Sequence, residues 1–283
     1  VEGYAANNAS NSSTTENPNY QIGNEILRTI VPTQDSWTKF LVPVSQTAES
    51  TGMVDGDQAL LDQHTQVRAA LANVQPNRVI TLGGDCAVSA VPFDYLHGRY
   101  PDDFGVIWLD AHPDISTVKD SHHFHEMVVS NLLKVSGSGF DQDIEHPLQP
   151  NQVFFAGLIE ADLRPMDRLV KDLGIAVATP EQLENGSPIK SWMAQNGIKH
   201  VAVHWDLDVL DPDDFKSILP AEPYLDRSQF GAAIGSMTLD QVIKLLTDVG
   251  TDADLVGLTI AEHMPWDAIR LRKGLSKLKI FSE

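Results

Sequence analysis

The sequence predicts an α/β fold with a central, mostly parallel sheet and helices on both faces. Two patterns carry that prediction: apolar runs too short for helices recur along the chain, and segments with helical spacing alternate with them. A third observation says where chemistry belongs. The apolar runs stop abruptly at acidic clusters, and in an open parallel sheet ligands bind beyond the carboxyl ends of the strands.

Residues 1–20 are rich in Asn, Ser and Thr and nearly devoid of large aliphatic side chains, which reads as a flexible N-terminal arm. Residues 21–283 read as a single domain, since no linker-like stretch interrupts them. The ILRTIV segment, 26–31, predicts a first strand closed by Pro32. Residues 55–74 place Leu60, Leu61, Val67 and Leu71 on one helical face. A strand at 79–82 leads into Gly83, Gly84, Asp85 and Cys86 and then a helix; paired glycines at such a turn let the backbone approach a neighbour closely.

The run at 106–109 is apolar throughout, as in a strand buried on both faces, and ends at Asp110, His112 and Asp114. A polar, His-rich loop, 115–125, precedes a helix at 127–133. Strands follow at 153–158 and 174–178, with two short helical pieces within 180–197. A strand at 201–205 runs into Asp206, Asp208 and Asp211, and another at 255–260 closes on Glu262 and His263 before a C-terminal helix with a basic face. His64, His97, His146 and His200 read as surface or hydrogen-bonded structural histidines, and Trp108 and Trp205 as core.

Lys and Arg number 20 against 39 Asp and Glu, a formal charge of −19 that disfavours nucleic acid and anionic membranes as partners. No apolar run is long enough to span a bilayer. The lone cysteine, Cys86, cannot form an internal disulfide and suits a reducing, cytoplasmic setting.

Asp110, His112 and Asp114 put two carboxylates and an imidazole within five residues. Asp206, Asp208 and Asp211 would repel one another unless something positive neutralised them, and strand alternation predicts that Asp206 and Asp208 share one side. Oxygen and imidazole donors together suit Mn, Zn, Fe or Ni. A solvated acidic turn accounts for either cluster alone, but not for acidic groups at the ends of four separate strands.

GGDC at 83–86, DAHPD at 110–114 and DLDVLDP at 206–212 together resemble the signatures of the ureohydrolases, the arginases, agmatinases and relatives. The resemblance implies a three-layer arginase-like fold, a binuclear manganese centre and a homo-oligomer, commonly a trimer or hexamer. By it, Asp110 and Asp206 bridge two metals, Asp114 completes the first site, and His112 with Asp208 completes the second. His125 resembles the histidine that shuttles protons or binds substrate, Glu262 the carboxylate that holds the guanidinium, and Asp162 the one that receives a substrate amino group. The implied reaction is hydrolysis of a guanidino compound, arginine, agmatine or similar, to urea and an amine, with Asp114, His125 and Glu262 as catalytic groups.

Cys86 departs from the pattern, because the family has a metal-binding histidine there. A thiolate is softer and favours Zn, Fe, Co or Ni over Mn, while a thiol leaves the first site one ligand short, so one or two ions fit. Two competing readings follow: a catalytically weak or silent relative, and a mononuclear amide or amidine hydrolase.

Overall fold

The computed structural model describes residues 19–44, 50–185 and 187–281. Six strands, β1 (Val79–Leu82), β2 (Phe104–Leu109), β3 (Val153–Ala156), β4 (Ala176–Ala178), β5 (His200–Asp206) and β6 (Asp254–Ala261), form one sheet in the order β1-β6-β5-β2-β3-β4. Every pairing between them is parallel. The helices are α1 (Asn19–Ile30), α2 (Asp57–Val74), α3 (Ala90–Arg99), α4 (Val128–Leu132), α5 (Leu169–Asp172), α6 (Ser187–Asn196), α7 (Leu239–Asp252) and α8 (Trp266–Leu275).

Strand alternation divides the core in two. Val106, Trp108, Val153, Phe155 and Ala202 face α2, α3 and α4, whereas Ile107, Leu109, Phe154, Val201 and Val203 face α6 and α7. Because both faces are covered, the central strands carry apolar residues at consecutive positions; all six residues of β2 are buried. The expected α/β layering is therefore present. Helix α7, with a Thr238–Gln241 capping box at its start, has no counterpart in the sequence reading.

The N-terminal segment departs from expectation. Residues 1–18 of the predicted arm lie outside the described residues, while Asn19 and Tyr20 are already helical and buried. Residues 26–31, expected as a strand, belong to α1 and its final turn. The helix buries Tyr20, Gly23, Asn24 and Leu27 on one face, a stripe at three- and four-residue spacing that overrides the apolar run at its end. That face docks at the carboxyl edge of the sheet: Asn24 Nδ2 donates to the Leu82 carbonyl at 2.6 Å. A Cβ on Gly23 would lie 1.8 Å from the His263 carbonyl oxygen. Glycine inside a helix costs roughly 1 kcal/mol relative to alanine, so the close crossing explains its presence.

His64 also differs from its reading. Its ring is buried edge-on to Phe124 and Phe140, at centroid distances of 5.6 and 5.3 Å, and neither nitrogen has a hydrogen-bond partner. Burial, with a smaller contribution from Arg68, lowers its pKa to about 3. By contrast His97 and His200 are hydrogen-bonded as expected, to the His146 carbonyl at 2.7 Å and to Asp103 at 2.5 Å.

Two stability outcomes follow. Gly23→Ala is expected to lower the unfolding free energy by at least about 1–3 kcal/mol in chemical denaturation, as overpacking does; unchanged stability would mean that α1 is not seated on the sheet edge. For His64, the unfolded chain binds a proton near 6.5 and the folded chain only at about 3, so this residue's contribution declines as pH falls through that window. His64→Leu should flatten the acid limb of the stability curve, the difference growing to about 5 kcal/mol near pH 3. Parallel curves for the two proteins would show that the ring is solvated.

Candidate metal centre

β1, β6, β5 and β2 are neighbours, so the residues that follow them emerge side by side. A cavity of about 240 Å³ opens there, lined by Cys86, His112, Asp114, His125, Asp206, Asp208 and Glu262 among others. Asp110, 1% exposed, lies 3.3 Å from the lining residue His112. Nearly all the site residues expected from the sequence thus converge on one edge.

The same local device ends three strands. A carboxylate oxygen accepts the backbone N–H two residues on: Asp85 from Ala87 at 3.1 Å, Asp110 from His112 at 2.7 Å, and Asp206 from Asp208 at 2.7 Å. Such an Asx turn uses one oxygen to fold the chain, while the second oxygen of Asp110 accepts from Trp108 Nε1 and that of Asp206 from Cys86. It also corrects how Asp208 arrives. Asp206 is the last residue of β5, and Asp208 sits in the 3-10 turn Leu207–Val209, so the turn brings the two together and the strand pleat does not.

Donor atoms fall into three overlapping groups, within each of which they lie no more than 4.8 Å apart: Cys86, Asp110, Asp114 and His204; Cys86, Asp206 and Glu262; and Asp110, His112 and Asp208. His112 Nδ1 lies 3.3 Å from Asp110 and 3.3 Å from Asp208. Against burial, which lowers it, these two aspartates raise the His112 pKa well above its ordinary value. Burial, with Asp208 next in importance, raises Asp110 to about 6. Asp114 and Asp206 are pushed up by burial and then by neighbouring aspartates. Cys86 donates to Asp206 Oδ2 at 3.1 Å, and burial and the surrounding carboxylates raise its thiol pKa.

Several buried polar atoms of this cluster have no hydrogen-bond partner: His112 Nε2, Asp114 Oδ2, Asp208 Oδ1 and His204 Nε2. Unpaired buried donors and acceptors cost about 1–3 kcal/mol each. Carboxylate, imidazole and thiol donors grouped within 4.8 Å of one another fit a divalent cation. Asp114 and Glu262, at φ 43° and 65°, hold left-handed backbone conformations, a strain that commonly marks functional sites.

Asp162 is not brought in. The 3-10 turn Glu160–Asp162 leaves it exposed, and the cavity wall near it is formed by Arg164 and Glu126. Arg164 lies 3.1 Å from Glu126 and 3.3 Å from Asp167, and Glu126 also accepts from Ser121 Oγ at 2.5 Å. His125 lines the cavity with Nδ1 unpartnered, and burial lowers its pKa to about 4. Tyr20, expected in the arm, lines the cavity and donates its buried hydroxyl to Glu262. His204 was hidden inside an apolar strand, although its position two residues before Asp206 was a signal of a shared face.

The sequence model of the Arginase family matches residues 14–224, well over half of the chain. The chain belongs to the arginase family. Members of this family are hydrolases acting on the carbon–nitrogen bonds of linear amidines, and the family implies a divalent metal. Arginase of Saccharomyces cerevisiae is 27% identical over 248 residues, 78% of this chain and 69% of the yeast enzyme. Human arginase-1 is 28% identical over 217 residues, 71% of this chain and 63% of the human enzyme. Among solved structures, Entamoeba histolytica arginase in complex with L-ornithine aligns with a TM-score of 0.73 at 16% identity, over 93% of this chain and 90% of that one. Bacillus subtilis formimidoylglutamase aligns with a TM-score of 0.64 at 15% identity, over 94% and 80% respectively. At these identities the structural likeness concerns the fold.

Tyr20→Phe should leave the buried Glu262 carboxylate short of a donor and reduce the unfolding free energy by about 1–3 kcal/mol. Denaturation of the purified variant measures it. A value equal to wild type would mean that Glu262 finds another donor and that α1 contributes only packing.

Proposed function

We propose that this chain hydrolyses a guanidino compound to urea and an amine, using a divalent metal centre held by Cys86, Asp110, His112, Asp114, Asp206 and Asp208. The observation that carries the reading is the convergence of these groups with Glu262 around one cavity at the carboxyl edge of the sheet. The activity belongs to one domain, residues 21–283, to which the helical Asn19 and Tyr20 are added. Asp110, His112 and Asp208 form a donor set suited to manganese, while the set containing Cys86 is softer and suits Zn, Fe or Co. When bound, such ions supply Lewis acidity and bring the pKa of a coordinated water to about 7.

The protein's own groups do the rest. Glu262 faces the planar cation and fixes its orientation, sharing its carboxylate with the Tyr20 hydroxyl. Asp114, with an unpartnered buried Oδ2, receives the proton of the attacking water. His125, neutral at pH 7 because burial lowers its pKa, takes up that proton and delivers it to the departing amine nitrogen. Oxygen from water thus adds to the guanidino carbon, the carbon–nitrogen bond to the substrate chain breaks, and the remaining hydroxyl proton passes to the amine, so that urea and a protonated amine leave.

Asp162, expected at the far end of the substrate, is exposed and outside the cavity lining, whose nearby wall carries other charges. Glu126 and Arg164 occupy that wall with opposite charges, so compounds differing at the far end test which of the two is used. The reading further includes a homo-oligomer, in which Leu271, Leu275 and Leu278, exposed along and after α8, would be covered, and a cytoplasmic setting for the buried thiol. Among the described residues no helix is long and apolar enough to cross a membrane.

The test is a urea-release screen over arginine, agmatine and guanidinobutyrate with protein loaded separately with Mn, Zn, Fe, Co and Ni. Urea release is expected from at least one pair. Asp206→Asn should reduce retained metal and activity by more than about 100-fold, and Cys86→Ala by less, because Asp206 alone adjoins both Cys86 and Glu262 while hydrogen-bonding the Asp208 turn. Bound metal with no urea from any substrate would favour the silent relative, and release of ammonia from simple amidines without urea would favour the mononuclear hydrolase.

A further inference from the structure

His204 has a position that the proposed mechanism does not explain. It is fully buried on β5, paired in register with Trp108 of β2. The two rings stack with centroids 3.7 Å apart and planes 14° apart. Trp108 Nε1 in turn donates to Asp110 Oδ2 at 3.1 Å. Alternation along β5 puts residue 204 on the same face as Asp206.

The two ring nitrogens have different environments. Nδ1 lies 2.7 Å from Ser89 Oγ, in the 3-10 turn Cys86–Ser89 that follows the paired glycines. Nε2 is buried without a partner. Donor atoms of His204, Cys86, Asp110 and Asp114 all lie within 4.8 Å of one another. A core position needing only volume would be filled by an apolar side chain, since an unpaired buried nitrogen costs about 1–3 kcal/mol. A ring fixed by stacking, anchored at one nitrogen and open at the other is the usual arrangement of a metal-binding histidine, whose second nitrogen is held by an outer partner.

We propose that His204 is the imidazole ligand of the first metal site, binding through Nε2 and joining Cys86, Asp110 and Asp114 in a sulfur, nitrogen and carboxylate set selective for a borderline divalent ion such as zinc or cobalt. This assignment rests on the reading of the cavity as a metal centre. It changes the meaning of Cys86. The nitrogen missing from the turn at 83–86 comes from β5, and the thiol becomes one member of a group of four donors that Asp206 adjoins. Ser89, three residues after Cys86, links the two: the turn that presents the thiol also holds the ring.

The experiment reconstitutes the full chain with Co(II) and reads metal content after dialysis, the thiolate-to-cobalt charge-transfer band, and the number of imidazoles per metal by X-ray absorption fine structure. Wild type should show the band and an average of about one imidazole per metal, from His112 and His204. With cobalt in excess so that both sites stay filled, His204→Gln should halve the imidazole count per metal, and after dialysis it should retain the ion beside His112 while binding of the other is weakened at least about 10-fold. Cys86→Ser should abolish the band and keep both imidazoles. Ser89→Ala keeps the ring but removes its anchor, so it should weaken the same ion about 10–100-fold without changing the imidazole count. That variant decides the matter if His204→Gln does not fold. An unchanged imidazole count in His204→Gln, or unchanged affinity in Ser89→Ala, would overturn the assignment. Absence of urea release with the two-imidazole signature intact would overturn the proposed reaction and leave His204 in place; a wild type that binds no divalent ion would overturn both.

Discussion

Like charge held out of water is the constraint around which this structure is arranged. Asp85, Asp110, Asp114, Asp206, Asp208 and Glu262 are all buried within one region, each less than 9% exposed. Two carboxylates 4 Å apart repel by about 4 kcal/mol even at an effective dielectric of 20, and burial adds the loss of hydration. Three protein devices moderate this: the Asx turns satisfy one oxygen of three aspartates, His112 adjoins Asp110 and Asp208, and Tyr20 caps Glu262. Arg164, the only Lys or Arg among the described residues lining the cavity, is engaged by Glu126 and Asp167. A site so short of positive charge gains stability from any cation it retains, so metal affinity and folding stability are coupled quantities here.

Most of the sheet was legible because a strand buried on both faces must be apolar at consecutive positions and must end where polar chemistry begins. The runs leading to Asp110, Asp206 and Glu262 show that directly. What failed was local pattern without tertiary context. ILRTIV looks like a strand, but its helix is dictated by a stripe that starts at Tyr20 and includes Gly23 and Asn24, residues a hydropathy reading discards. His64 was read as solvated or satisfied because a histidine with no partner is rare in a core. Asp162, assigned by resemblance, lies exposed in the turn Glu160–Asp162, outside the cavity lining.

Glu126, Arg164 and His204 were hidden for another reason. Each takes its meaning from a neighbour distant in sequence: Arg164 from Glu126, and His204 from Ser89 and Trp108. Motifs report residues that lie close together along the chain. Here the motif at 83–86 shows the donor that changed, and only the packing of β5 against β2 shows what stands opposite it.

The position of β6 bears on how the protein is made. β1 pairs only with β6, and β6 separates it from β5, although β1 is the first strand among the described residues and β6 the last. During synthesis from the N-terminus, β1 and α1 therefore have no place in the sheet until residues 254–261 arrive. Until then β5 presents an open edge with no covering strand, the kind of surface that recruits other chains. Closing so long a loop is also slow, because its entropy is lost before the contacts form. Loss of a short C-terminal segment containing β6 would therefore detach the first helix and expose the sheet edge at once, leaving a nascent or truncated chain prone to aggregation and dependent on chaperones.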